Sequence, residues 1–275
     1  MKTVFLFDLD GTLCKSRKPV VDNIVALLTK ANKYVEVGIL TGSDLDFLKE
    51  QCKELFENLG YENKVYALAC NGTKSFLVDN KNNKLNYTLI KEENLREKIG
   101  EEKFKTVMRE LIYEQTESMI DYNFPLTGNF ITYRGPIINW CPVGRCANDA
   151  DRNAFKKEDK LKNIRTTHVE NIKRAFIENN ITGLIVNVAG DTSFDIYPAG
   201  WDKTYTMQFF KDYDIYFWGD RMTEGGNDYS MHMRRDVNSF PVENPNETYE
   251  SVKETIKNLL ENKDVNCNKR QTNKR

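Results

Sequence analysis

Histidine is nearly absent from the chain: two of 275 residues, His168 and His232, stand far apart. The six cysteines (Cys14, Cys52, Cys70, Cys141, Cys146 and Cys267) form no CxxC pair. These absences argue against a zinc site and read as free thiols. Neither charge is in excess, since 40 basic residues are interspersed among 41 acidic ones for a net charge of −1. No broad cationic face for nucleic acid or anionic lipid is implied, so the expected partner is small. Long apolar runs are missing too. Val4-Phe5-Leu6-Phe7 stops at Asp8, short of a signal peptide's hydrophobic region, and nothing later approaches transmembrane length. The expectation is a cytoplasmic protein with no membrane partner, and 40 % apolar residues suffice for a real core.

What is present is an alternation of short apolar runs with amphipathic segments. Strands are predicted over Thr3 to Phe7, Val35 to Leu40 and Val65 to Ala69, with helices over Val20 to Lys30 and Asp44 to Leu59. That order predicts a parallel sheet flanked by helices, an α/β class. The polar run Asp79-Asn80-Lys81-Asn82-Asn83 reads as a hairpin turn between Ser75 to Val78 and Lys84 to Leu89. A helix from Glu92 to about Gln115, strands Phe130 to Arg134 and Ile137 to Cys141, a helix Thr167 to Asn179, and strands Gly183 to Val188 and Ser193 to Tyr197 follow. Helix, two strands, helix, two strands describes an inserted α+β domain with an antiparallel sheet. The first pattern then resumes with helix Lys203 to Phe210, strand Ile215 to Gly219 and helix Glu247 to Glu261. The expected division is 1–84 and 198–262 for the core, 85–197 for the insert, and a disordered polar tail over 263–275.

The chemistry concentrates in Asp8-Leu9-Asp10-Gly11-Thr12, directly after the first apolar strand. Two carboxylates two residues apart, at the carboxyl end of a parallel strand, lie where open α/β sheets place their active sites. Gly11 permits a sharp turn there.

This DxDGT segment resembles the signature of the haloacid dehalogenase superfamily. The resemblance implies a Rossmann-like parallel-sheet core with an inserted cap, Asp8 as nucleophile and Asp10 as general acid and base. Thr41 and Ser43, in Leu40-Thr41-Gly42-Ser43-Asp44, match the segment that contacts the transferring phosphate; taken alone it reads as a helix N-cap. Lys203 matches the cation of the third motif. Asp220, in Trp218-Gly219-Asp220, and Asn227 and Asp228, in Gly225-Gly226-Asn227-Asp228, match the fourth. Mg²⁺ takes hard oxygen ligands, and Asp8, the Asp10 backbone carbonyl and Asp220 would supply them, with Asn227 and Asp228 holding a bound water or orienting Lys203.

Within the insert, Arg134, Arg145 and Arg152 stand eleven and seven residues apart. This spacing is similar to that of the eukaryotic-type phosphomannomutases, whose cap arginines bind the non-reacting phosphate; a guanidinium fork suits that task. Ser193 and Asp195, on one strand face by alternation, match residues that hydrogen-bond the sugar, with Phe194 pointing into the core. Arg17 matches a substrate-contacting arginine. The resemblance spans roughly Val4 to Val242. It implies mannose 1-phosphate and mannose 6-phosphate as substrates, a hexose 1,6-bisphosphate activator, GDP-mannose supply, and a homodimer joined through the caps. One departure stands out. Where the family carries a second cation loop with a carboxylate, this chain reads Met231-His232-Met233-Arg234-Arg235-Asp236, so a single magnesium is expected. A sugar-phosphate hydrolase on the same scaffold remains the alternative.

Overall fold

The computed structural model describes residues 2–272, with side-chain surroundings through 261. The chain runs β1 (Lys2–Phe7), α1 (Asp22–Ala31), β2 (Glu36–Leu40), α2 (Leu45–Gln51), α3 (Lys53–Asn58), β3 (Val65–Ala69), β4 (Lys74–Lys81) and β5 (Lys84–Glu92). The insert follows as α4 (Leu95–Ile99), α5 (Glu101–Asp121), β6 (Ile131–Tyr133), β7 (Ile138–Trp140), α6 (Asp149–Lys162), α7 (Ile164–Glu178), β8 (Leu184–Ala189) and β9 (Ser193–Pro198). A 3-10 segment (Lys203–Phe209), β10 (Tyr213–Gly219), α8 (Tyr229–His232), β11 (Val237–Pro241) and α9 (Pro245–Thr272) complete it.

The larger sheet has the order β11-β10-β1-β2-β3-β4-β5, parallel from β11 to β3 and antiparallel beyond. Strand alternation explains its packing. Phe5 and Phe7 of β1 join the apolar cluster on one face with Leu28, Phe56 and Trp218, while Val4 and Leu6 join Phe210, Phe217 and Met231 on the other. Burying both faces of one strand accounts for its unbroken apolar run. The chain winds from β1 toward β3 on one side and returns with β10 and β11 on the other, so strand order reverses beside β1. Asp8 and Asp220 stand at that switch point.

The smaller sheet, β6-β7-β9-β8, is antiparallel throughout. Phe194 stacks on Trp140 with ring centres 4.6 Å apart and is buried, as alternation predicted.

Several readings change. The single helix expected over Asp44 to Leu59 is two, because Val20 N–H takes the Gln51 carbonyl at 3.0 Å and withdraws it from the helical ladder. The expected boundary at 84/85 falls inside β5, just past the hairpin turn where Asn82 and Asn83 both have positive φ; β5 pairs along β4 and stays in the larger sheet, so the chain leaves it after Glu92. Helix α6 was not foreseen, since only Arg152 and Phe155 on it are buried and no apolar stripe marks it. Its start was marked instead by a capping box: Asp151 N–H donates to Asn148 Oδ1 at 3.0 Å and Asn148 N–H to Asp151 Oδ2 at 3.2 Å. The short edge strand β11 also escaped notice. At the end of the chain, the α9 backbone runs on to Thr272 through the segment from Lys263, for which disorder was expected; the side chains there, Cys267 included, lie outside the described residues. Cys14, Cys52, Cys70, Cys141 and Cys146 are free thiols.

Candidate active site

Asp8 directly follows β1 and is anchored to the neighbouring strand: its N–H donates to the Trp218 carbonyl at 2.9 Å. The following turn brings in Gly11, whose φ is +93°; a Cβ there would lie 2.3 Å from Asp220 Oδ2, so glycine lets the two strand ends close on each other. Lys203 reaches the same point from the 3-10 segment after β9. It is fully buried, donates to Asp8 Oδ1 and contacts Asp228 Oδ1 at 2.5 Å. Burial alone would lower the ammonium's pKa, but Asp228 and Asp8 override it and hold the charge above its ordinary range.

Asp8 and Asp228 share this cation, while Asp220 lies 3.7 Å from Arg221 Nε. Asp8, Asp220 and Asp228 each offer an oxygen, and these lie within 4.8 Å of one another. Burial pushes Asp8 up to about 8; Lys203 opposes the shift, while Asp228 and Asp220 reinforce it. Burial and the Asp228 charge raise Asp220 as well. Beside them, the Asn227 side-chain oxygen is buried without a hydrogen-bond partner. A set of hard oxygens that is short of positive charge, next to an orphaned amide oxygen, fits a divalent cation.

The Asp10 side chain stands apart from this cluster. Its Oδ1 accepts from Gln51 Nε2 at 2.8 Å and from Arg17 N–H at 3.0 Å. Thr41 and Ser43 close the next side of the cleft, the Ser43 N–H donating to Thr41 Oγ1 at 3.1 Å.

The insert roofs the cleft with cations. Arg134 Nη1 donates to the Gly42 carbonyl at 2.9 Å and lies 3.7 Å from Asp195 Oδ1. Arg145 donates to Asn139 Oδ1 at 2.8 Å, with its guanidinium carbon 4.6 Å from the centre of the Phe47 ring. Burial, with Arg134 and Arg17 nearby, pushes Arg145 down to about 10. Crowded like charges gain most from an incoming anion. Arg152, on α6, donates to Thr192 Oγ1 at 3.3 Å and approaches Asp191 Oδ2 at 3.4 Å. Arg17 reaches across to the Ala147 carbonyl at 3.4 Å.

Asp195 is buried and raised by that burial, against Arg134, the 2.7 Å hydrogen bond from Asn139 and Arg145. Ser193 lines the same cleft but spends its hydroxyl on the Ala189 carbonyl at 3.0 Å. Asp8, Asp10, Arg17, Thr41, Ser43, Arg134, Arg145, Arg152, Ser193, Asp195, Asp220 and Asn227 thus line one cleft, with Lys203 and Asp228 buried behind Asp8. The loop flagged by Arg234 lies elsewhere, that arginine pairing with Asp236 at 2.7 Å.

Residues not foreseen include Gln51, Asn139, Asp191 and Arg221. Gln51 had a signal: it follows Leu45 and Leu48 on the buried face of α2 at helical spacing, where a polar side chain needs a partner. Asn139 had a weaker one, a polar residue between two buried apolar residues of a strand. Nothing local pointed to Asp191 or Arg221.

Residues 24–258 match the family model described as eukaryotic phosphomannomutase. A phosphomannomutase of Dendrobium officinale is 34 % identical over 253 residues, covering 91 % of this chain and 92 % of that one. Among solved structures, an IMP-bound mutant of Plasmodium falciparum IMP-nucleotidase superposes with a TM-score of 0.65 at 15 % identity, over 92 % of this chain and 66 % of that one. A haloacid dehalogenase-like hydrolase of Bacteroides thetaiotaomicron gives 0.52 at 14 % identity, over 93 % and 100 %. At such identities the structural likeness concerns the fold, and it agrees with the expected core and cap.

Proposed function

The chain belongs to the eukaryotic phosphomannomutase family, and from that premise we propose that it is an isomerase interconverting D-mannose 1-phosphate and D-mannose 6-phosphate. The observation that carries this reading is the pairing, across one cleft, of a nucleophile site around Asp8 with a cradle of Arg134, Arg145 and Arg152. A hydrolase needs only the first; a mutase must grip whichever phosphate is not reacting.

In this reading the Asp8 carboxylate attacks phosphorus in line and the bond to the sugar oxygen breaks, with Asp10 delivering the proton to that oxygen. Gln51 and the Arg17 N–H aim the Asp10 carboxylate. Lys203 holds positive charge against Asp8 as the anionic phosphoryl oxygens approach. Magnesium, which Asp8, Asp220 and the Asp10 carbonyl would hold with Asn227 and Asp228 beside it, supplies further charge neutralisation when bound. The donor is a hexose 1,6-bisphosphate. After it phosphorylates Asp8, the remaining monophosphate presents its other hydroxyl, and Asp10 takes that proton as the group is returned. A bound hydroxyl outcompetes water because well-oriented groups reach effective concentrations of ~10⁵ M or more.

We further assign Arg17, Thr41 and Ser43 to the reacting phosphate and Ser193 and Asp195 to sugar hydroxyls. Pairing of two copies through the caps is supported by exposed Ile112, Tyr113 and Ile120 on α5. No helix among the described residues is long and apolar enough to cross a membrane, and a cytoplasmic role in GDP-mannose supply accords with free thiols. The deciding experiment incubates the protein with magnesium, mannose 1-phosphate and catalytic hexose 1,6-bisphosphate. Mannose 6-phosphate is the expected product; free phosphate alone would reject the mutase in favour of a sugar-phosphate hydrolase.

A further inference from the structure

Arginines carry polar contacts that cross the cleft. Arg17 and Arg134 do so from within the substrate-binding set, at 3.4 Å to the Ala147 carbonyl and 2.9 Å to the Gly42 carbonyl. Arg221 does so from outside it. It follows Asp220 in the loop after β10, and its guanidinium reaches the cap turn between β8 and β9. There Nη1 donates to the Gly190 carbonyl at 2.9 Å and Nη2 lies 3.4 Å from Asp191 Oδ1.

Both ends of this contact are fastened to the chemistry. On the core side, the Arg221 N–H donates to Asp228 Oδ2 at 3.1 Å and its carbonyl accepts from the Asp228 N–H at 3.2 Å. Asp228 is in turn paired with Lys203. The loop has no slack there, since a Cβ on Gly226 would come within 2.1 Å of the Arg221 carbonyl oxygen. On the cap side, the second oxygen of Asp191 lies 3.4 Å from Arg152 Nη2 and 3.7 Å from Lys156 Nζ. Asp191 therefore joins a core arginine to a cap arginine of the phosphate cradle.

We propose that Arg221, through the Gly190 carbonyl and Asp191, latches the cap turn onto the catalytic loop and so sets how phosphorylated Asp8 divides between a sugar hydroxyl and water. The inference rests on the mutase reading. In the hydrolytic branch a water oxygen bonds to phosphorus, the bond from phosphorus to the Asp8 oxygen breaks with its electron pair returning to the carboxylate, and one water proton passes to Asp10. Inorganic phosphate leaves. The productive branch differs only in its nucleophile, so any rise in water at the open cleft favours hydrolysis. Arg221 is a positioning residue: it acts through the cap turn, alongside a 3.7 Å approach of its Nε to Asp220 Oδ2, and because it is partly exposed, screening keeps the effect moderate.

The test follows labelled phosphate from mannose 1-phosphate in the full-length protein with magnesium and catalytic hexose 1,6-bisphosphate, scoring inorganic phosphate released per mannose 6-phosphate formed. Arg221→Ala should raise that ratio by roughly threefold to tenfold, a size in keeping with loss of a screened contact, and Arg221→Lys, which keeps a donor for the Gly190 carbonyl, should bring it back toward the original. Asp191→Asn, a second variant in case the first folds poorly, should raise it too. A merely structural role would lower both products together; a ratio unchanged in Arg221→Ala and Asp191→Asn overturns the latch. Failure of the unaltered protein to form mannose 6-phosphate would overturn the mutase reading itself, and the latch with it.

Discussion

The Gln51 carboxamide donates to Asp10 Oδ1 at 2.8 Å, and the same Nε2 lies 3.2 Å from the Lys18 carbonyl. One amide thus ties the proposed acid and base to the loop that carries Arg17. Gln51→Ala should lower kcat by about tenfold to a hundredfold, within the range a positioned acid or base contributes, while KM changes little. An unchanged kcat would show that the amide does not steer the proton.

Asp8→Asn should abolish turnover. It should also leave the metal-free protein at least as stable as the original, because it removes one of three crowded carboxylates, one already displaced upward by burial and its neighbours. Urea titration with a chelator present checks the second half, and a large loss of stability would contradict the charge argument.

Lys203→Met has the opposite sign. It leaves Asp8 and Asp228 buried without their cation, and removing one partner of a buried pair costs about 3–5 kcal/mol. The urea midpoint should fall accordingly in the absence of metal, and magnesium should restore part of it.

The stabilisation given by magnesium should grow with pH. The folded-state pKa of Asp8 is raised from 3.8 to about 8, so the protonated carboxyl stabilises the metal-free fold below the lower value, and that contribution is lost as pH rises through the upper one. A divalent cation binds the ionised form and offsets the loss. The difference in Tm between magnesium and chelator should therefore widen from about pH 5 to about pH 8; a difference that narrows would remove Asp8 from the metal site.

Arg145→Ala should reduce kcat/KM by about tenfold to a hundredfold, the worth of a charge-assisted hydrogen bond, with both affinity and rate affected. Arg145→Lys should recover only part, because an ammonium cannot replace the planar fork. Unchanged kinetics would take Arg145 out of the cradle.

Much of the core was legible because its signals are local. An apolar run ending in Asp8-Leu9-Asp10-Gly11-Thr12 announces a buried strand with carboxylates at its carboxyl end, and Ser193-Phe194-Asp195 announces which side chains share a face. Helix α6 escaped because its buried face consists of Arg152 and Phe155 alone, too little for periodicity to register. Yet α6 is the element that presents Arg152 to the cleft.

Residue types and their order along the chain determined the two-part α/β architecture and the aspartates and arginines worth attention. Tertiary structure alone decided which of them meet. Lys203 finds Asp8 across 195 positions and Arg17 reaches Ala147 across 130, while Gln51, Asn139, Asp191 and Arg221 gain their meaning only from partners on other elements. Local patterns encode which face of an element is buried; the juxtaposition of two faces is set by how whole sheets and helices pack, and no short window of sequence contains it.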